Sequence, residues 1–308
     1  MERRNIGGPD GLSVSLVGLG CNAFGGRVDE KGTHAVLDAA IDAGIDFFDT
    51  AESYGATKSE SFMGTWLKAN PGKAIVASKF GINHSNVAGK PPGSAENVKV
   101  SCDLSLKRLQ VDCIDLYQLH RPDPQTPVGE TMGALEDLAK EGKIRLYGCS
   151  GFSGAQMQEA VDSAKGAGQR GFVTAQNPWN MILRDIEQDL VPVCEANGIT
   201  ILPYYPIAKG LLTGKYRRDA TAPAGSRLEG MSDLDTADYD LLERLEAYAK
   251  DNGYDLLTLA MSWLAAQQVI CSIITGGSKP EQMASNADAV RWTLTAANLA
   301  AIDAILAG

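Results

Sequence analysis

Short β-rich apolar runs alternate with longer helical stretches eight times along the chain, and this rhythm limits the folds open to it. Candidate strands cover residues 14–19, 46–49, 74–78, 113–119, 146–149, 172–176, 200–204 and 271–274. Helical patterns cover residues 31–43, 59–69, 95–108, 130–140, 154–167, 186–196, 256–267 and 281–289. Gly44, Gly142 and Gly198 each follow a helix, at the position that favours a left-handed residue. Parallel strands cannot be joined by a tight turn, so a crossover helix after every strand implies a parallel sheet. Eight such units imply an α/β fold of the closed (β/α)8 barrel type. Such a barrel takes about 250 residues, so a chain of 308 leaves room for additions. Two surplus helical segments, 237–251 and 296–306, are expected outside the barrel. The alternation crosses the middle of the chain without a Pro/Ser linker, so residues 1–308 are expected to form a single domain.

Composition narrows the partners. The chain has 28 Lys and Arg against 38 Asp and Glu, a formal charge of −10, and its cations are scattered. A nucleic-acid footprint is not expected, and an anionic ligand would need cations gathered locally. Residues 209–227, with Lys209, Lys215, Arg217, Arg218 and Arg227, are the one stretch of that kind; a solvated loop reads equally well. The six cysteines form no C-x-x-C pair and show no zinc spacing, so reduced thiols and no metal site are expected. No apolar run has membrane-spanning length, and the N-terminal residues lack the apolar core of a signal peptide. A cytoplasmic protein, monomeric or homo-oligomeric, with a small-molecule substrate and no membrane partner is the expectation.

In a parallel barrel, catalytic groups gather where strands end and βα loops begin. The second candidate strand ends in Phe48-Asp49-Thr50-Ala51-Glu52-Ser53-Tyr54-Gly55, the third in Ser78-Lys79-Phe80-Gly81, and the fourth in Gln118-Leu119-His120-Arg121-Pro122-Asp123. Asp, Tyr, Lys and His can therefore meet at one mouth. These stretches resemble the aldo-keto reductase superfamily, in the region of the branch that includes the potassium-channel β subunits. The resemblance runs from Val17-Gly18-Leu19-Gly20 to Gly276-Gly277-Ser278-Lys279-Pro280. It implies a catalytic tetrad of Asp49, Tyr54, Lys79 and His120. The chemistry fits those side chains: hydride arriving at a carbonyl carbon leaves charge on oxygen, which must be protonated or stabilised. A phenol is a weak acid at neutral pH, and a nearby ammonium such as Lys79 is expected to lower its pKa.

Residues 18–23, Gly-Leu-Gly-Cys-Asn-Ala, match a loose dinucleotide fingerprint. A Rossmann unit would need a helix at the second glycine and an acidic residue ending the next strand. Here the helical pattern begins near Lys31 and the acidic residue, Asp38, falls inside it. The aldo-keto resemblance implies another cofactor site, for NADPH with NADH as the alternative. Ser150 and Gln176 would hold the carboxamide, with Tyr204 stacked on the nicotinamide ring. Pro206, Ala208, Gly210, Leu211, Lys215 and Arg227 would embrace the pyrophosphate. Gly276, Ser278, Lys279, Gln282 and Asn286 would meet the adenosine end, with Gly20, Cys21, Asn22 and Asp49 completing the site.

The chain departs from many relatives at Gly151, where they have Asn, at Tyr205, where they have Ser, and at Gln282, where some have Arg. Phe24, Phe80, Trp179 and Tyr205, with Tyr54 and His120, are the expected pocket walls, with core packing an equal reading for Phe24 and Trp179; so aromatic a lining implies an apolar or flat carbonyl compound. Reversible reduction of an aldehyde or ketone is the leading functional expectation. An NAD-dependent sugar or alcohol dehydrogenase, and a cofactor-sensing subunit like the potassium-channel β proteins, are the alternatives.

Overall fold

The computed structural model describes residues 1–9, 11–82, 85–224 and 226–308. Its strands are β1 (Arg3–Ile6), β2 (Leu12–Ser15), β3 (Val17–Gly20), β4 (Phe47–Asp49), β5 (Ile75–Phe80), β6 (Ile114–Leu119), β7 (Ile144–Ser150), β8 (Thr174–Pro178), β9 (Thr200–Tyr204) and β10 (Ile273–Gly276). Strands β3 to β10 form a closed parallel barrel, in which β10 pairs with β3. The helices are α1 (Glu30–Asp42), α2 (Lys58–Ala69), α3 (Ala95–Leu109), α4 (Val128–Lys140), α5 (Gly154–Ala167), α6 (Leu190–Ala196), α7 (Tyr239–Asp251), α8 (Leu256–Ala265), α9 (Glu281–Asp288) and α10 (Ala296–Ala307). The surplus helices α7 and α10 pack on each other, and α7 also packs on α8. Among the described residues no helix is long and apolar enough to cross a membrane. All six cysteines are free, and Cys113 alone is not fully buried.

Two expected elements break differently. The run 14–19 divides at Leu16: β2 pairs antiparallel with β1, and β3 enters the barrel. Ile6, Leu12 and Val14 of the hairpin join Phe47, Ala77, Leu116 and Leu202 in the inner core, so the hairpin plugs one end of the barrel. The helix expected over 186–196 becomes a 3-10 turn, Asp185–Glu187, followed by the short α6. Pro192 explains the break, because proline is tolerated in the first turn of a helix but not in the interior of a longer one.

Strand alternation sorts side chains into two layers. Phe47, Ala77, Leu116 and Leu202 fill the barrel, while Phe48, Phe80, Tyr117 and Leu119 pack outward in the core shared with the helices. At the C-terminal ends of the strands the inward positions fall to Gly20, Asp49, Lys79, Ser150, Gln176 and Tyr204. The opposite end is closed by apolar residues of the hairpin, so polar chemistry is confined to one mouth.

Candidate active site

The structure brings Asp49, Tyr54, Lys79 and His120 together at that mouth. Lys79 is wholly buried, and its ammonium donates to Asp49 Oδ2 at 2.6 Å and to the Thr50 carbonyl at 2.9 Å. The same Nζ lies 3.4 Å from the Tyr54 hydroxyl. The His120 ring meets the Tyr54 ring edge-on, with centroids 5.7 Å apart.

Two devices fix the loop that carries Tyr54. Gly55 has φ +57°, and a Cβ there would lie 2.4 Å from the Phe24 carbonyl, so glycine lets this loop press against the one after β3. Glu52 is buried; its backbone N–H donates to the Lys79 carbonyl at 3.0 Å, and its carboxylate accepts from Gly81 N at 2.8 Å and Asn86 Nδ2 at 2.9 Å. That carboxylate ties the loops after β4 and β5 together.

Electrostatics assign different states to the four groups. Burial would lower the Lys79 pKa, but the charge of Asp49 and the contact with Tyr54 outweigh it, and the ammonium is held above its ordinary value. Burial also raises the Tyr54 phenol; Lys79 is the largest opposing influence but does not reverse the shift. The expectation that Lys79 lowers this phenol therefore holds for its contribution and not for the net direction. Burial, followed by the charges of Lys79 and Arg121, pushes His120 down to about 3, so the imidazole is neutral at physiological pH. Its Nδ1 is buried and has no hydrogen-bond partner among the described residues.

From this floor a cleft of about 520 Å³ opens across the strand ends. Ser150, Gln176, Tyr204 and Tyr205 line it beside Tyr54 and His120. The Ser150 hydroxyl donates to the Gln176 carbonyl at 2.9 Å, and Gln176 Nε2 is a buried donor with no partner among the described residues. Such a donor beside a broad phenol face suits a nicotinamide carboxamide.

The other end of the cleft is built from loops. Tyr205, Ala208 and Lys209 have φ of +57°, +46° and +57°, a left-handed conformation that side chains rarely adopt, and Gly210 follows at +107°. Asn180 Nδ2 donates to the Tyr205 carbonyl at 2.9 Å, and the Arg227 guanidinium sits 4.9 Å from the centre of the Tyr205 ring. Lys209 pairs with Asp233 at 2.5 Å, and Leu228 N donates to Tyr216 Oη at 3.1 Å. These contacts strap Tyr216, Arg227 and Leu228 alongside the cleft. The Lys215 ammonium lies so near Gly210 that a Cβ there would come within 3.0 Å of it. Across the opening are Gly276, Ser278, Lys279 and Gln282.

Among the described residues, six cationic side chains, Arg27, Arg121, Lys209, Lys215, Arg227 and Lys279, line this cleft, and Asp49 is the one acidic residue that does. An acidic protein has thus gathered locally the cations that a polyanion needs. Three of the six, Arg27, Arg121 and Lys209, were not singled out as site residues in the sequence, although Arg121 follows His120 directly.

Several expected site residues lie elsewhere. Phe24 and Phe80 are fully buried, and Phe80 stacks on Tyr117 at 4.9 Å. Trp179 packs edge-on against Trp263 and donates to Glu187 at 2.9 Å. Strand alternation accounts for Phe80: with Lys79 pointing inward, its neighbour must point outward. Cys21 is buried, its thiol pushed well up by burial. Ala208 and Leu211 pack on the core instead of lining the cleft, and Asn286 braces β10 by donating to Thr275 Oγ1 and the Gly276 carbonyl. Asp38, the acidic residue of the loose fingerprint, accepts from Trp66 Nε1 at 2.7 Å, and α1 opens only after its cap at Asp29. Gln282 does line the cleft with Ser278 and Lys279, and its Oε1 turns back to accept from Ser278 N at 2.8 Å and Lys279 N at 3.0 Å.

The model of the aldo/keto reductase family matches residues 16–307. A probable aldo-keto reductase 1 of Glycine max is 34% identical over 95% of this chain and 85% of its own length. The aldo-keto reductase YhdN of Bacillus subtilis is 32% identical over 96% and 91%. Among solved structures, the glycerol dehydrogenase AKR11B4 from Gluconobacter oxydans superposes with a TM-score of 0.84 at 31% identity, covering 99% of this chain and 95% of its own.

Proposed function

The chain belongs to the aldo/keto reductase family, and from that premise we propose that it reversibly reduces an aldehyde or ketone to the alcohol, with NADPH as hydride donor and Tyr54 as proton donor. The observation that carries this reading is the buried Lys79 ammonium, which touches both Asp49 and the Tyr54 hydroxyl at the floor of a cation-lined cleft.

Tyr204, Ser150 and Gln176 would hold a nicotinamide, which would supply the hydride taken up by the carbonyl carbon. Tyr54 gives its hydroxyl proton to the carbonyl oxygen and keeps the O–H electron pair as phenolate. Lys79, wholly buried and 3.4 Å away, stabilises that phenolate. Asp49 keeps Lys79 charged and oriented. His120, held neutral, donates a hydrogen bond to the same oxygen and adds no charge of its own. Because burial keeps the Tyr54 phenol protonated at neutral pH, the resting state is primed for reduction. Oxidation of the alcohol requires the phenolate and is favoured at high pH.

For the cofactor, Ser150 and Gln176 would hold the carboxamide, while Lys215, Arg227 and the Gly210 amide would meet the pyrophosphate. Preference for NADPH rests on the Ser278 hydroxyl and the Lys279 ammonium. A second reading, an NAD-dependent alcohol dehydrogenase, draws support from Gln282, whose carboxamide occupies two backbone amides that a 2′-phosphate would otherwise use. Absorbance of the reduced nicotinamide band across aldehydes, ketones and sugars tests the proposal. Consumption of NADPH is expected with wild type, and Tyr54→Phe is expected to lose at least about 100-fold in turnover. Inertness of the wild type toward every carbonyl, with NADPH and NADH alike, would reject it.

A further inference from the structure

A dinucleotide accounts for most of the cleft's cations. Lys209, Lys215 and Arg227 belong to the loop that follows Tyr204, and Arg27 and Lys279 line the cleft with Ser278. Arg121 stands apart from all of them. It follows His120 directly, it lines the cleft with Tyr54, Ile82 and Gly151, and its charge acts on both His120 and Tyr204, the groups at the reactive end.

The acidic neighbours of Arg121 are committed elsewhere. Asp49 is bound to Lys79. Asp123, two residues on, accepts from Gly93 N and Thr126 Oγ1 at 2.7 Å and from Gln125 N at 2.9 Å. Arg121 itself makes no ion pair among the described residues. A guanidinium is a planar fork of donors that fits a carboxylate or phosphate edge-on, and beside a reaction centre it selects ligands that bring such a group. Three aromatic walls that would favour an uncharged substrate, Phe24, Phe80 and Trp179, lie in the core, and beside Arg121 the cleft keeps Tyr54, Ile82 and Tyr205.

We propose that Arg121 is a specificity-determining residue that binds an anionic group of the substrate, so the carbonyl compound reduced here carries a carboxylate or phosphate a few bonds from its reacting carbon. This inference rests on reading the cleft as a carbonyl-reducing site.

The test compares kcat/KM for substrates matched in shape and differing in charge: 4-carboxybenzaldehyde with 4-methylbenzaldehyde, and glyceraldehyde 3-phosphate with glyceraldehyde. Wild type is expected to prefer the charged member of at least one pair, and the responding pair separates carboxylate from phosphate. Arg121→Gln is expected to lower the charged-to-neutral ratio by about 10- to 100-fold, chiefly through KM, as loss of a charge-assisted hydrogen bond predicts. Arg121→Lys, which keeps the charge without the fork, recovers part of the ratio. Equal losses on both members of each pair would overturn the proposal, because Arg121 would then act on the common oxyanion or on the fold; so would a loss explained by a raised KM for the cofactor. Failure of the underlying reading looks different: wild type would reduce none of the four compounds.

Discussion

The two ends of the cleft are built on opposite principles. At the reactive end, Asp49 and Lys79 stand on barrel strands, almost wholly buried, and the Lys79 ammonium is held by Asp49 and the Thr50 carbonyl while it reaches Tyr54 on a loop pinned by Gly55 and Glu52. At the phosphate end the groups stand on loops, two of the cations are steadied by the faces of Tyr205 and Tyr216, and three non-glycine residues are in left-handed backbone. Proton transfer needs a donor held to a fraction of an ångström, and here the strand-borne Lys79 and the pinned loop of Tyr54 provide that. A polyanion needs charge nearby, and mobile side chains on loops provide that and can still release it. Substitutions at the reactive end are therefore expected to disturb both fold and chemistry, and those at the phosphate end only binding.

Lys79→Met should give the largest effect. It leaves Asp49 buried without a countercharge, a loss of about 3–5 kcal/mol of stability in urea unfolding, together with at least about 100-fold in turnover. Adding Asp49→Asn should restore much of the stability and none of the turnover. If Lys79→Met unfolds like wild type, the sharp distinction between the two ends is lost.

A smaller effect is expected from Lys279→Ala, an exposed residue of the phosphate end. KM for NADPH should rise about tenfold, with KM for NADH and the melting temperature nearly unchanged. Equal rises for both cofactors would take the 2′-phosphate away from Lys279.

Smallest is the pH response of the reactive end. The folded protein holds His120 neutral down to about 3, whereas an unfolded chain takes up that proton below about 6.5. His120 thus makes the fold less stable as pH falls through that window, and His120→Gln should flatten the slope in acid unfolding curves. Reductive kcat/KM should show no His120 ionisation between pH 5 and 8, and its Tyr54 limb should fall only above about 10, the ordinary phenol value. An inflection near pH 6.5 that disappears in His120→Gln would contradict this assignment.

The barrel was legible because each strand and helix carries its own period, and helix ends such as Gly142 carry their own stop signal. The tetrad was legible because each member ends or follows a strand. The short hairpin β1–β2 was not, since four-residue strands barely register as alternation and β2 runs almost directly into β3. The aromatic walls were only partly legible for a different reason: a bulky residue near a mouth can face either layer. Alternation from Lys79 would have turned Phe80 outward, whereas nothing local to Phe24 or Trp179 indicates a direction. The Gln282 cap was hidden because a glutamine four residues past Ser278 can serve a ligand or its own backbone equally well. Arg121 carried a usable signal, its position beside His120, and its importance emerges only when the other cations of the cleft are placed around it.

The separation of chemistry from cofactor holding is tested most directly by titrating NADPH into Tyr54→Phe and measuring turnover of the same preparation. The account predicts a cofactor Kd within about threefold of wild type, since no phosphate or carboxamide contact is touched, alongside a turnover at least about 100-fold lower. Near-normal turnover, or a Kd weakened in step with the lost activity, would contradict it.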